Sequence, residues 1–412
     1  MGEWKEYKLR DLFQGTKSGD WGKDSPEGNY VEEVTCLRGA DIPATNLQEI
    51  NKAPTRYISR KNFSERRLSA GDLMVEMSGG SPTQSTGRIA YISQNVLDLY
   101  NSRLICSNFC KVLQVNSYLI DSSFTYYLWS YLYNKRLFFS YENGTNGLKN
   151  LFLDAVLDYE SVIIPKDIYE QNKIASQLSE IDNKIAINRK ICRNLEAQAQ
   201  ALFKHWFVDF APFKNGKFVE SELGLIPVGW RVGTLSEIAD VTMGQSPAGS
   251  SYNEKGEGIL FYQGRTEFGF RYPSVRLYTT EPKRFAEPLS TLLSVRAPVG
   301  DINVATDKCC IGRGLASIKS KNNCHSFIFY LLQSMKRRFD VYNGEGTVFG
   351  SINKDTLNGL KNIIPSNSII LEFEEIVEEM DKKILESHQE NLRLASLRDT
   401  LLPKLMSGQI KL

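Results

Sequence analysis

The side chains most able to do chemistry in this 412-residue chain are scattered, and their spacing excludes more reactions than it supports. Methyl transfer to an adenine amine uses an Asn/Asp-Pro-Pro-aromatic loop, and the chain has no Pro-Pro dipeptide. The stretch GQSPAGSS from Gly244 has the glycine spacing of a phosphate loop but no lysine to reach the phosphates, so nucleotide hydrolysis is not expected. His205, His325 and His388 lie far apart, which gives a nucleophile-His-acid constellation little support. Cys309, Cys310, Cys324 and His325 could coordinate zinc in principle, but adjacent pairs lack finger-like spacing; buried or incidental thiols are the expectation. Glu281-Pro-Lys283 has the form of the last element of a nuclease acid-x-lysine pair without the upstream acid-rich turn. No catalytic residue and no metal ligand are therefore expected in this chain.

What remains is a set of cations and amides interleaved with aromatics. The first half offers Lys17, Arg38, Arg56, Arg60 and Lys61, then Thr83, Gln84 and Arg88 within SGGSPTQSTGR from Ser78. The second offers Arg265, Arg271 and Arg276, followed by Lys283 and Arg284 in EPKRF. Such side chains read the groove edges of double-stranded DNA and neutralise its phosphates, although any one of them taken singly is more readily read as solvated surface. Net charge does not decide, since 50 basic residues face 48 acidic ones.

The elements that must position these residues repeat. With Pro165 and Pro365 placed in register, WKEYKLRDL at Trp4 matches WRVGTLSEI at Trp230, and CLRGADI with Gly39 matches FYQGRTE with Gly264. GDLMVEMSG from Gly71 pairs with STLLSVRAP from Ser290, and the turns around Gly87 and Gly300 correspond. FTYYLWSYLY at Phe124 and FIFYLLQSM at Phe327 are apolar helical stretches, followed by the glycine turns NGTNG and GEGTVFG. Each half thus reads as Val/Ile/Leu/Tyr-rich strands with glycine turns and a few helices, closed by one long helix.

The closing helices carry heptad seams. The first runs through Ile174, Leu178, Ile181, Ile185, Asn188, Cys192, Leu195, Ala199, Leu202 and Trp206; the second through Phe373, Val377, Met380, Ile384, Ser387, Asn391, Leu394, Arg398, Leu401 and Leu405. At about 1.5 Å per residue each seam spans roughly 48 Å. A stripe of that length needs a partner helix, and polar layers such as Asn188 fix register at some cost in stability. An isolated heptad helix more often only packs domains together; two in tandem predict an α/β (α+β) tandem repeat with two globular units and a long antiparallel two-helix coiled coil of pseudo-two-fold symmetry. The expected boundaries are a first globular unit at 1–165, a central helix at 166–210, a connector at 211–229, a second globular unit at 230–365, and a C-terminal helix with tail at 366–412.

Seven cysteines without regular spacing, no secretory leader, and no apolar run near the roughly 18 residues of a membrane span lead us to expect a cytoplasmic protein without a membrane partner.

Several motifs together resemble one family. The IIP entry at Ile163 leading through Gln171 to Ile174, QAQALFKHWFVDFAPF from Gln198, GLIPVGW before Trp230, and LRDTLLPKLMSGQIKL at the C-terminus are similar to the specificity subunit of type I restriction-modification systems over essentially the full length. The second entry departs from the pattern, with Leu371 or Glu372 near the level of Gln171. The resemblance implies that the globular units are target-recognition domains, each reading one half of an asymmetric bipartite DNA site, and that the helices set its spacer. It implies a noncatalytic chain that directs methylation and restriction by its partners: two modification subunits carrying S-adenosylmethionine, and two restriction subunits using ATP and Mg. No cofactor is then expected in this chain. The helices and the aromatic segment Phe203, Trp206, Phe207 and Phe210 would serve as docking surface or as core. The competing readings are a self-sufficient nuclease or methyltransferase with an unrecognised site, and an adaptor that uses its helices only for protein contacts.

Overall fold

The computed structural model describes residues 3–50, 52–81, 83–145, 148–343 and 350–412. Contacts gather them into two units, one formed by residues 1–190 with 387–412 and the other by residues 191–386.

In the first unit the strand Leu73–Glu76, three apolar residues and a glutamate, is buried at every position, which requires cover on both faces. It lies inside an antiparallel sheet in the order Phe13–Ser18, Cys110–Val115, Leu73–Glu76, Ile89–Tyr91. A second sheet, Thr55–Ser59, Tyr30–Leu37, Leu104–Cys106, contains one parallel pair, between its last two strands. Trp4–Lys8 pairs with Ser161–Pro165, so the first IIP closes against the strand that opens the unit. Helix α1, Ser122–Asn134, starts where the Asp121 carboxylate accepts from the Phe124 N–H at 2.8 Å. It buries Trp129, whose indole donates to the Gly87 carbonyl at 2.8 Å and stacks on Phe138. Gly87 has φ of +89°, and a Cβ there would sit 2.9 Å from the Phe138 ring, so both backbone and packing require glycine.

Helix α2 spans Ile168–Phe207, 40 residues. The second unit then repeats the strand order of the first unit's four-stranded sheet and the core of its parallel-pair sheet. Its four-stranded sheet runs Ala239–Met243, Leu315–Ser320, Thr291–Ser294, Ile302–Val304, again antiparallel throughout. The other sheet keeps Leu277–Thr279, Ile259–Tyr262 and Cys309–Ile311 at its centre, with the same parallel pair, and gains two short edge strands. Arg231–Thr234 closes against Lys361–Ile364, the second IIP strand. Helix α3 is His325–Ser334, and Gly300, at φ of +92°, packs its backbone against Phe339 as Gly87 does against Phe138. Helix α4, Asn367–Met406, is again 40 residues.

Within each unit a segment of α2 lies antiparallel to a segment of α4. In the first, Asn188 Nδ2 donates to Glu390 at 2.7 Å and to Asn391 at 3.1 Å, while Asp182 meets Arg398 further along. Ile174, Leu178 and Ile185 are buried, and Ile181, Leu394 and Leu401 half-buried. In the second, Cys192 Sγ lies 3.7 Å from the Ile384 carbonyl and the rings of Phe203 and Phe373 meet edge to face. Val377 and Ile384 are buried there; Leu195, Leu202 and Met380 pack half-buried against them. Each fully buried aliphatic side chain contributes about 1.5–3 kcal/mol, so the seams stabilise the units as well as joining elements.

Two local features refine the expectation. The region expected as a connector contains a hairpin, Phe218–Ser221 with Gly224–Pro227. Of the aromatic segment, Phe203 and Phe207 belong to the second unit's core with Phe327, Phe373 and Trp230, and Trp206 and Phe210 pack against it half-buried. Residues 146–147 and 344–349 of the two glycine turns lie outside the described residues. Among the described residues no helix is long and apolar enough to cross a membrane.

Candidate nucleic-acid interface

In the second unit four segments converge on one turn. The strand Cys309–Ile311 reverses through Gly312-Arg313-Gly314 into Leu315–Ser320, closed by the Leu315 N–H on the Gly312 carbonyl at 3.0 Å. Around it, Gln245 N–H donates to Ile311 at 2.9 Å, Gly312 N–H to Tyr262 at 2.8 Å, Gly314 N–H to Gln263 at 3.3 Å, Val295 N–H to Gly314 at 2.9 Å, and Ile311 N–H to the Arg284 carbonyl at 2.9 Å. A Cβ on Gly312 would stand 2.8 Å from the Gln263 carbonyl, so the close approach of two backbones dictates glycine there. This backbone network brings together the segments that carry Gln245, Gln263, Arg284, Arg296 and Arg313, all exposed. None of these three arginines has an acidic partner among the described residues.

The first unit builds the same turn with different side chains. Asp20 N–H donates to Cys106 at 2.8 Å, Ser107 N–H to Leu37 at 2.8 Å, Cys110 N–H to Ser107 at 2.9 Å, and Met77 N–H to Phe109 at 2.7 Å. Asp20, Arg38, Ser78 and Asn108 therefore stand where the second unit has Gln245, Gln263, Arg296 and Arg313. Asp20 is engaged by Asn62 at 2.6 Å, and Arg38 by Asp41 at 2.9 Å and the Lys52 carbonyl at 3.2 Å. Asn108 and Phe109 are exposed at the turn. Charge is inverted nearby: Arg88, fixed to Glu76 at 2.6 and 2.8 Å, corresponds to Asp301, which holds Arg265 and, at 2.6 Å, Lys336.

The remaining expected contact residues divide by environment. Arg60 is largely exposed with a loose 3.4 Å contact to Glu32, and Lys61, Lys283, Thr83 and Gln84 are exposed, the side-chain amide of Gln84 lying 3.1 Å from the Arg88 guanidinium. Lys17 pairs with Asp72 at 3.2 Å and Arg276 with Glu267 at 2.5 Å.

Arg56 and Arg271 correct the expectation, because both are interior. Arg56 lies over the Trp21 ring at 3.9 Å and pairs with Asp24. Arg271, 3% exposed, sits 3.4 Å over the Phe329 ring and binds Asp381 at 2.8 Å. Burial opposes its charge, but Asp381 and Glu196 outweigh it and raise the pKa, so the guanidinium stays ionised where no groove can reach it. Arg88 is likewise committed to a nearly buried carboxylate.

Gln245, Gln263, Arg296 and Arg313 were absent from the sequence reading. The signal that finds Arg313 is its setting, an arginine between two glycines joining two apolar strands.

The cysteines offer no chemistry. None of the seven is in a disulfide and all are buried, and burial pushes the Cys36 and Cys309 thiols up to about 12, away from the reactive thiolate. Among the described residues no group of three His, Cys, Asp or Glu side chains could hold a metal ion.

A duplicated scaffold with exposed, divergent polar turns is the architecture of a tandem recognition protein, and the chain belongs to the family of the type I restriction modification DNA specificity domain, matched twice, over residues 1–197 and 227–394. Along 417 residues it is 29% identical to the putative type I restriction enzyme MjaX specificity subunit of Methanocaldococcus jannaschii, covering 99% of this chain and 94% of that protein. The MjaIX specificity subunit of the same organism is 28% identical, with the same shares covered. The crystal structure of the type I restriction-modification S subunit from M. genitalium shares the fold, with a TM-score of 0.57 at 18% identity, over 98% of this chain and 96% of that one.

Proposed function

We propose that this chain is the DNA-reading subunit of a type I restriction-modification enzyme, recognising an asymmetric bipartite site with one half-site per unit. One observation carries the reading: equivalent turns on two topologically matching scaffolds present different side chains, Asp20, Arg38, Ser78 and Asn108 in one and Gln245, Gln263, Arg296 and Arg313 in the other. A scaffold duplicated to read the same sequence twice has no reason to diverge there.

The long helices, about 60 Å each at 1.5 Å per residue, form an antiparallel coiled coil with pseudo-two-fold symmetry and set the uncontacted spacer. The antiparallel segments paired within each unit support this arrangement. The chain itself is noncatalytic. It directs two modification subunits that carry S-adenosylmethionine and two restriction subunits that use ATP and Mg, all acting in the cytoplasm, where seven free cysteines remain reduced.

Selection from a random duplex library by the full chain assembled with its modification subunits tests this. Enrichment of one split, non-palindromic motif whose affinity falls steeply with salt is the expected outcome. Equal affinity for all sequences at moderate salt, or cleavage or methylation by the purified chain alone, would contradict it.

A further inference from the structure

We infer that Arg284, Arg296 and Arg313 read guanine edges in the major groove, so that the half-site bound by residues 191–386 contains guanine at the positions these arginines reach. The inference rests on the function proposed above and extends it to base identity.

Three observations support it. First, the backbones that carry the three arginines meet at one turn, through the Arg284 carbonyl on Ile311 N–H, the Gly314 carbonyl on the N–H of Val295 beside Arg296, and Arg313 at the turn's tip. Second, they are exposed without an acidic partner among the described residues, although the same unit neutralises Arg265, Arg271 and Arg276 with Asp301, Asp381 and Glu267. Among the described residues, then, no carboxylate engages their donors. Third, Arg313 projects from between two glycines, which carry no side chain to keep the turn out of a groove about 12 Å wide.

The planar arginine fork matches the paired O6 and N7 acceptors of guanine as well as a phosphate, whereas the neighbouring exposed Lys283 offers a point charge. Loss of discrimination at one base pair, rather than uniform weakening, is therefore what marks base readout. The corresponding first-unit turn lacks this set. It presents Ser78, Asn108 and Phe109, and its Arg38 is bound to Asp41, so guanine readout by this device belongs to the second unit alone.

The test uses the full chain in complex with its modification subunits. The selected site is first defined for the wild type, and affinities for all single-base-pair changes in it are then measured for Arg313→Ala, Arg313→Lys, Arg296→Ala, Arg284→Ala and Lys283→Ala. Arg313→Ala and Arg313→Lys should each lose about 10- to 100-fold of discrimination at one G·C position in one half-site, leaving the other half-site and the spacer unchanged. Arg296→Ala and Arg284→Ala should act in the same half-site. Lys283→Ala should weaken all sequences alike and lower the salt slope by about one.

Rescue of Arg313→Ala by lysine, uniform weakening without lost discrimination, or discrimination lost at an A·T pair would overturn the inference. If the wild-type complex selects no bipartite site, the proposed function fails. If it selects one and the arginine variants keep its discrimination unchanged, only this inference fails.

Discussion

Asp182 on α2 accepts a hydrogen bond from the Tyr127 hydroxyl at 2.8 Å and pairs with Arg398 on α4 at 2.8 Å, tying three helices of the first unit through one carboxylate. Asp381 does the same in the second unit, with Tyr330 at 3.0 Å and Arg271 at 2.8 Å. The tyrosines are matching residues of FTYY and FIFY, but the arginines come from different places, a long helix in one unit and a loop in the other. The role is repeated although one of its residues is not.

Arg271→Ala should therefore unfold the second unit more easily than Arg398→Ala unfolds the first. Removing Arg271 leaves Asp381 and the buried Glu196 uncompensated, a loss of about 3–5 kcal/mol. Arg398 is about one-third exposed, and its loss should cost about 1–2 kcal/mol after solvent screening. Urea unfolding of the two variants, followed by a probe in each unit, measures both; equal small shifts would contradict this ranking.

A second pair of clamps joins the start of each long helix to its sheet-packed helix. Gln171, fully buried, accepts from Asp121 N–H at 2.9 Å and donates to the Leu119 and Pro165 carbonyls at 3.0 and 2.8 Å. In the other unit Glu374 accepts from Ser326 and Phe327 N–H at 2.9 and 2.8 Å, taking up the first turn of α3. Gln171→Ala and Glu374→Ala should each cost about 1–3 kcal/mol by leaving buried backbone groups unpaired. Thermal unfolding reads this, and a neutral Gln171→Ala would show the clamp to be dispensable.

Glu196 gives a pH signature. Burial pushes its carboxyl above the ordinary range, with Arg271 and a hydrogen bond from Gln333 opposing. As pH rises from about 4, the ordinary carboxylate value, the unfolded chain loses this proton before the folded one, so this group's contribution to stability falls until the raised pKa is passed. Glu196→Gln, which does not titrate, should gain on the wild type across that window. Urea midpoints of both proteins between pH 4 and 7 check the sign, and a variant that falls behind as pH rises contradicts it.

The repeat, its glycine turns and the seams were legible in the sequence because each is a periodicity. Leu178 and Val377 recur at heptad spacing, and Gly87 and Gly300 need the same positive φ against a phenylalanine. Contact residues were legible only as a type. Arg271 and Arg284 are indistinguishable as letters, and what separates them is Asp381, over a hundred residues from Arg271 in sequence, which pulls one inside while the other meets no acid among the described residues. Arg296 and Arg313 were hidden because they stand singly in SVRAP and GRG and become a cluster only through the backbone bonds around Ile311 and Gly314. Glu374 was hidden because it replaces Gln171 from a position three residues further along its helix than the matching level.

If the long helices set the spacer, adding one heptad to each at facing seam layers, between Ile181 and Ile185 in α2 and between Leu394 and Arg398 in α4, should lengthen it while both half-sites remain. A heptad adds about 10 Å, or roughly three base pairs at 3.4 Å each. Site selection with the variant complex measures this; altered half-sites with a constant spacer contradict the ruler.

Single-molecule methylome sequencing of a strain carrying this chain with its partner subunits tests the central claim most directly. The predicted result is methylated adenine in one motif made of two different short sequences separated by a fixed run of unspecified bases. A contiguous or palindromic motif, or methylation independent of sequence, would contradict two unlike reading units held at a set distance.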